Sequence, residues 1–181
     1  MTGADAERRD RAQAIIAGLG TLLALSLVAL LVVTLAWRSS SGDQAGRQAL
    51  ALQQAGDQAQ RAARKAVVQM TTYDYAHVDQ DFAWVDDAGT ASFRKHYAAV
   101  SAPIKKLVVE LKARAQGTVV GSAADVKDAD HVTVLMFVDQ TISNPGQAQK
   151  SLDQPRVTMT MVRQGGRWLV DDVELHTLSG S

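Results

Sequence analysis

The stretch Arg156-Val-Thr-Met-Thr-Met-Val-Arg-Gln-Gly-Gly-Arg-Trp-Leu-Val170 decides the fold. Apolar and polar side chains alternate through Arg156–Arg163, and this period of two predicts a β-strand with one buried face. Gln164-Gly-Gly166 supplies a two-residue turn of the kind that joins antiparallel strands. A second strand is predicted over Arg167–Thr177, where the doubled Asp171-Asp172 interrupts the alternation and indicates a bulge.

The period of two extends upstream of this hairpin. Thr118–Val126 and His131–Ile142 are predicted strands joined by the charged turn Asp125–Asp130. The second of them is apolar on both faces, which is typical of a central strand. A polar loop from Asn144 to about Asp153 leads to the hairpin, so about four antiparallel strands are expected.

Upstream of Gly117 the apolar spacing is helical. A long Ala-rich helix is predicted over 44–74, a short helix over Asp79–Asp87, and a third helix that Thr90 or Ser92 caps. The third helix has apolar residues at helical spacing to Leu111, and its Pro103 predicts a kink or two abutting helices. Helices followed by an antiparallel meander indicate an α+β domain, with three helices packed on a curved sheet in a cone of the nuclear transport factor 2 (NTF2) type.

The segment 15–37 is almost wholly apolar, and no charged residue lies between Arg11 and Arg38. A helix of about 20 apolar residues crosses the hydrocarbon core, so this segment is a predicted transmembrane helix. Trp37, flanked by Arg38, stands where an interfacial anchor belongs. A cleaved signal peptide is the alternative, although its apolar region would be shorter, at about 7–15 residues.

Basic residues are denser before this span than after it, which predicts a cytoplasmic N-terminus. We therefore expect a cytoplasmic tail at 1–14, the span at 15–37, a juxtamembrane helix at 38–70 and an exported domain at 71–181. This arrangement is a single-pass protein of the plasma membrane with a periplasmic domain. Lys and Arg, 19 together, balance 19 Asp and Glu, so no global field attracts nucleic acid. The absence of cysteine excludes disulfides and thiolate metal sites.

Small residues share one face of the predicted span: Ala14, Ala17, Gly18, Gly20 and Ala24. Helices in lipid associate through close packing over small side chains, so this face predicts docking onto other membrane subunits. The alternative is the ordinary composition of a spanning helix.

The juxtamembrane helix carries small or apolar residues at alternating steps of four and three, a heptad seam: Ala45, Ala49, Leu52, Gly56, Ala59 and Ala63. Because two glycines weaken this helix, we expect something to pack closely against the small face. Either a partner helix or the protein's own domain can do so.

Residues able to do chemistry are few. His77, His96, His131 and His176 lack metal-ligand spacing, so we interpret each as a polar surface residue. The densest acidic cluster is Asp79, Asp81, Asp86 and Asp87. A carboxyl of this cluster could serve as a general base if it faced a dry interior.

The catalytic candidates of a cone-fold isomerase or dehydratase would be Tyr73, Asp74, Tyr75 and His77. Asp at helix ends is, however, commonly a cap. We predict no catalytic, cofactor or metal site.

Several motifs follow the Arg-flanked span and Ala-rich helix in a fixed order: Thr72-Tyr-Asp-Tyr75, Asp79-x-Asp81, Phe93-Arg94-x-x-Tyr97, Lys105-Lys-Leu-Val-Val-Glu-Leu111, Val134-Leu-Met-Phe-Val-Asp-Gln-Thr141 and Gly166-Arg-Trp-Leu-Val170. In this order the chain resembles, over nearly its full length, the Mce-associated membrane proteins of actinobacteria. Those proteins accompany the mammalian-cell-entry (Mce) lipid importers.

The resemblance implies a non-catalytic accessory subunit that stabilises or assembles a lipid-import complex. Its implied partners are the bilayer, an Mce permease and Mce proteins, and the implied domain is similar in shape to the soluble part of VirB8, the assembly protein of type IV secretion. An alternative is a binding module whose cone holds a lipid ligand and passes it to a transporter. A filled cone interior favours the first function and an open one the second.

Overall fold

The computed structural model describes residues 44–146 and 150–176. The chain divides into two units, Met1–Ala49 and Leu50–Ser181, and the second contains the sheet and the shorter helices. The first described helix, α1, covers 44–71. The remaining elements are β1 (Tyr73–Asp74), a 3-10 turn (Tyr75–His77), α2 (Val78–Phe82), α3 (Trp84–Ala88), α4 (Ala91–Glu110), β2 (Arg114–Val126), β3 (His131–Ser143), β4 (Ser151–Asp153), β5 (Arg156–Gln164) and β6 (Arg167–His176).

The fold is α+β, as the patterns predict, with one antiparallel sheet in the order β1-β2-β3-β5-β6. The four expected strands are present, and β3 is central because β2 and β5 pair with its two sides. Two short strands were not predicted. β4 pairs with β3 beyond the end of β5. Pro155 lies between β4 and β5, and it has no amide hydrogen to donate to a strand ladder.

Both predicted backbone irregularities of the β5–β6 hairpin are confirmed. Gly165 and Gly166 have φ of 57° and 78°, the conformation of a type I′ turn. Met161 pairs with Val170 while Thr160 pairs with Asp172, so Asp171 is the extra residue of a bulge. The bulge turns Asp171 towards the start of α4, where its carboxylate accepts a hydrogen bond from the Thr90 hydroxyl at 2.9 Å.

The helices around the sheet differ in detail from the expectation. The short helix is divided in two at Ala83, and Thr90 caps α4 by accepting a hydrogen bond from the Phe93 amide at 3.2 Å. Pro103 lies within a single helix of 20 residues, Ala91–Glu110, and does not divide it. These helices close over the same face of the sheet as α1.

The core lies between α1 and the inner face of the sheet. Ala59 and Ala63 of α1 are fully buried. Strand β6 contributes Val170, and strands β3 and β5 contribute seven buried side chains: Val132, Val134, Met136, Val138, Val157, Met159 and Met161. The small residues of α1 are what allow this approach, since a Cβ on Gly56 would lie 2.8 Å from Cγ2 of Val126.

Candidate interaction surface

The predicted membrane-packing residues Ala14, Ala17, Gly18, Gly20 and Ala24 lie outside the described residues. The interfacial residues Arg11, Trp37 and Arg38 lie outside them as well. Within 44–146 and 150–176, no helix is both long enough and apolar enough to cross a bilayer.

The heptad seam of α1 has two different environments. Gly56, Ala59 and Ala63 are buried by the protein's own domain, which was one of the two alternatives for the small face. Ala45 and Ala49 are exposed, and Leu52 is half-buried. No partner helix is therefore needed to explain the small residues at Gly56, Ala59 and Ala63.

Three of the catalytic candidates, Tyr73, Asp74 and His77, line an open pocket of about 470 Å³, and the Asp74 carboxylate in it is already bound by neighbouring groups. One carboxylate oxygen of Asp74 accepts the Ala76 amide at 2.9 Å, and the other lies 2.9 Å from Nε of Arg114. The Ala76 hydrogen bond, with a smaller contribution from Arg114, holds the pKa of Asp74 below its usual value. A lowered pKa makes a weaker base, so this geometry fits the predicted capping role.

The acidic cluster does not face a dry interior. Asp79 is exposed and pairs with Nζ of Lys105 at 3.1 Å. Asp81 accepts the Asp74 amide at 2.8 Å, which ties β1 to α2, and Asp86 and Asp87 are exposed. All four carboxylates lie in the first turns of α2 and α3, where negative charge is favourable at a helix N-terminus.

The four histidines are all exposed, which confirms their interpretation as surface residues: His77, His96, His131 and His176. His131 has a structural partner, since its Nδ1 lies 2.9 Å from the Asp128 carboxylate across the β2–β3 turn. Among the described residues no group of three or more His, Cys, Asp or Glu side chains is arranged to hold a metal.

The interior of the cone is filled. The buried side chains of β3 and β5 are at most 1% exposed, and they form one core cluster with α1. Trp168, at the rim of the same face, is half-buried. The centre of the inner face is therefore packed by side chains, while Val173 and Leu175 at the β6 end of the same face border an open groove.

A surface that the sequence did not single out lies on α4. Phe93 and Val108 turn inward and are buried, but the neighbouring apolar stripe of the same helix stays in solvent. The stripe consists of Val100 (45% exposed), Ile104 (48%) and Leu107 (54%), and it continues to Leu111 (47%) at the C-cap of the helix. Contiguous exposed apolar side chains of this kind mark interaction surfaces.

Beside this stripe runs a groove of about 310 Å³ between α4 and the end of the sheet. Val100 and Ile104 form its helix wall, and Val173, Leu175 and Pro155 form its sheet wall. The floor is aromatic: Tyr73, Phe82, Phe93 and Tyr97. Its volume lies at the lower end of the range found for ligand pockets, about 300–1,000 Å³.

A hydrogen bond and several ring contacts fix the aromatic floor of the groove around Tyr97. Tyr97 accepts a hydrogen bond from Nε1 of Trp84 at 3.0 Å, and the two rings meet edge to face with centroids 5.3 Å apart. Phe93 and Phe82 stack at 5.8 and 6.4 Å from the same Tyr97 ring. Burial raises the pKa of Tyr97, so its phenol stays neutral and the floor carries no charge.

The family described as "Uncharacterized protein Rv1363c/MT1408-like" matches residues 15–176. The chain belongs to this family. A member from Mycobacterium tuberculosis (strain ATCC 25618 / H37Rv), Rv1363c, is 27% identical over 112 residues. The match covers 62% of the present chain and 43% of Rv1363c, so the chain spans less than half of that relative.

Solved structures similar to this member of the Rv1363c/MT1408-like family include proteins of type IV secretion systems. An IcmL-like protein of Legionella pneumophila has a TM-score of 0.57 at 14% identity, covering 67% of this chain and 92% of its own. VirB8 of Agrobacterium tumefaciens has a TM-score of 0.56 at 12% identity, covering 71% and 96%. CagV, a VirB8 homologue from Helicobacter pylori, has 0.55 at 14%, covering 66% and 97%. The predicted likeness of the fold to VirB8 is thus confirmed.

Proposed function

We propose that this protein is a non-catalytic accessory subunit, anchored in the plasma membrane, that stabilises or assembles an Mce-type lipid-import complex. The observation that carries the proposal is the distribution of apolar surface in the domain. Its interior is filled by side chains from β3, β5 and α1, whereas an ordered apolar stripe on α4 remains exposed. Such a domain is suited to contact other proteins rather than to enclose and convert a substrate.

The proposed location follows from the chain upstream of the domain. The apolar segment 15–37 would hold the protein in the membrane with its N-terminus in the cytoplasm, and the domain would lie in the periplasm. Mce permease and Mce proteins are the proposed partners, on the strength of the motif order from Thr72 to Val170. The small residues of the span, Gly20 and Ala24 among them, would contact a permease helix.

A second candidate function is binding of a lipid ligand. The groove beside α4 favours it, because its walls and floor are largely apolar and its volume would admit part of an acyl chain. The filled interior speaks against a carrier that encloses its cargo. We place the accessory role first, because the groove is open along α4 and continues into exposed aliphatic side chains.

Affinity purification of the full-length chain from native membranes, followed by mass spectrometry, tests the proposal. We expect permease and Mce subunits to be recovered in near-stoichiometric amounts. The variant Gly46→Ala should leave this recovery unchanged, since a Cβ at Gly46 meets nothing within 4 Å. Recovery of the tagged chain without any transporter subunit would exclude the accessory role.

A further inference from the structure

The open pocket beside Asp74 contains a row of polar side chains on the outer face of the sheet. The strand register puts Asp74 opposite Arg114, and Arg114 opposite Ser143. Carried one residue beyond β4, the same register places Lys150 next to Ser143. Successive residues of a strand face opposite sides, and Ala115 is buried, so this row faces away from the core. All four members of the row line the pocket.

The neighbouring row on the same face supplies uncharged polar groups. Gln116 pairs with Thr141, and both line the pocket beside Ser143. The hydroxyls of Thr141 and Ser143 are half-buried, and neither bonds to another described residue. Neighbouring strands lie about 4.8 Å apart, so the Cα atoms of Arg114 and Lys150 are about 10 Å apart. Both long side chains can therefore reach a group that lies over Ser143.

The charges of the pocket are separated along its length. Asp74 is already paired, because Nε of Arg114 lies 2.9 Å from one carboxylate oxygen and the Ala76 amide donates to the other at 2.9 Å. Asp81 lies at the β1 end, where its carboxylate accepts the Asp74 amide at 2.8 Å. Lys150, at the β4 end, makes no ion pair with another described residue. The β4 end is therefore positive, and the β1 end holds the acceptors.

A phosphate group suits the positive end of the pocket. The cations of Arg114 and Lys150 and the hydroxyls of Thr141 and Ser143 border this end, and together they offer more donors than the two oxygens of a carboxylate can use. Phosphate carries up to three strong acceptor oxygens, and its hydrogen bonds to Arg and Lys are charge-assisted.

The size of the pocket and its acidic end describe the rest of the ligand. A volume of about 470 Å³ is larger than a phosphate ion needs and lies within the range of small-molecule sites, about 300–1,000 Å³. Asp81 has lone pairs beyond the one that accepts the Asp74 amide, and hydroxyl groups are donors that these can accept. A ligand that joins a phosphate to hydroxyl groups therefore matches both ends.

We propose that this pocket binds a phosphate ester carrying hydroxyl groups, with the phosphate between Arg114 and Lys150 and the hydroxyls directed to Asp81. A glycerol-type lipid headgroup and a soluble polyol phosphate share this chemistry. Among the described lining residues, Tyr73 is the one that also borders the groove beside α4. The inference goes beyond the proposed accessory function, and either can fail while the other stands.

Calorimetric titration of the full-length chain in a non-ionic detergent tests the site with four probes. Glycerol 3-phosphate represents a soluble ester, and dihexanoylphosphatidylglycerol presents the group as a lipid headgroup. Glycerol is the uncharged control, and glycerate replaces the phosphate by a carboxylate. We expect saturable binding of at least one phosphate probe, no binding of glycerol, and about tenfold weaker binding of glycerate, since it has fewer acceptor oxygens for the charged donors.

Substitutions locate the binding in the pocket. Lys150→Gln should weaken binding of the phosphate probe about tenfold, because it removes one charge-assisted contact. Lys106→Gln is the matched control, since it removes the same charge from an exposed residue of α4 that does not line the pocket. Ser143→Asp places a carboxylate between Arg114 and Lys150 and should abolish binding. Lys150 is exposed, so its variant should melt at the temperature of the parent even if Ser143→Asp proves unstable.

Four outcomes would overturn the inference: no binding of either phosphate probe, equal binding of glycerol, equal binding of glycerate, or equal effects of Lys150→Gln and Lys106→Gln. Stronger binding of glycerol 3-phosphate than of the lipid probe, lost in Lys150→Gln, assigns the site to a soluble ester. The reverse order, with the same loss, assigns it to a lipid headgroup.

Discussion

Replacement of Gly117 by Ala should destabilise the domain at the contact between the end of α1 and β2. A Cβ at Gly117 would lie 2.6 Å from Cβ of Thr71 and 3.4 Å from its carbonyl carbon. Thr71 cannot swing away, because the backbone fixes its Cβ, the residue is 4% exposed and its hydroxyl donates to the Val67 carbonyl at 2.7 Å. The strand and the helix must therefore separate by about 1 Å to reach ordinary contact.

Overpacking of this kind costs about 1–3 kcal/mol. For a domain of this size we expect the melting temperature to fall by about 3–5 °C for each kcal/mol. Thermal unfolding of the full-length chain, followed by circular dichroism, measures the change.

Gly121→Ala is the matched control on the same strand. A Cβ there would lie 3.5 Å from Cδ2 of Phe137, an ordinary contact, so the stability should change by no more than about 0.5 kcal/mol. Thr71→Gly removes the obstructing Cβ, so the double variant with Gly117→Ala should be more stable than the sum of the two single effects. Equal melting temperatures for the two alanine variants, or simple additivity in the double variant, would refute the reasoning.

Three further predictions address the turn, the pH response and the anchor. Gly166→Val should cost about 1–2 kcal/mol because φ is 78° there, whereas Gly165→Asn should be nearly neutral; urea unfolding compares them. The folded state lowers the pKa of Asp74, so its carboxylate stabilises the fold above the ordinary pKa of 3.8 and this contribution is lost on acidification below it. Asp74→Asn should therefore narrow the difference in stability between neutral pH and about pH 3, and an unchanged difference would contradict the assignment. Gly20→Leu with Ala24→Leu should weaken co-purification of the permease while membrane insertion, tested by carbonate extraction, is retained.

The long strands could be predicted because each repeats its pattern several times. β3 and β5 alternate over their whole length, and the Gly-Gly turn between β5 and β6 admits few other conformations. β1 and β4 have two and three residues, too few for a period to appear. Their strand geometry comes from pairing with β2 and β3, which is a tertiary effect.

The small residues of α1 show a different limit of sequence reasoning. A stripe of Ala and Gly predicts that another element packs closely against the helix, but it does not identify that element. Ala59 and Ala63 face the sheet of their own domain, while Ala45 and Ala49 on the same seam are exposed. The buried and exposed parts of the seam have the same local sequence pattern. Which part is buried depends on where the sheet packs, and the pattern of the helix does not encode that.

The same limit hid the interaction surface on α4, whose apolar positions satisfy a helical period from Phe93 to Leu111. The structure divides them, because the aromatic cluster around Tyr97 covers one edge of the helix and leaves the other edge in solvent. That division makes the surface both preformed and separable from the core. Tyr97 is fixed by Trp84 and its neighbouring rings, so little further ordering would be required on association, which lowers its entropic cost. Substitutions at Leu107, which is 54% exposed, should therefore change this surface without unfolding the domain.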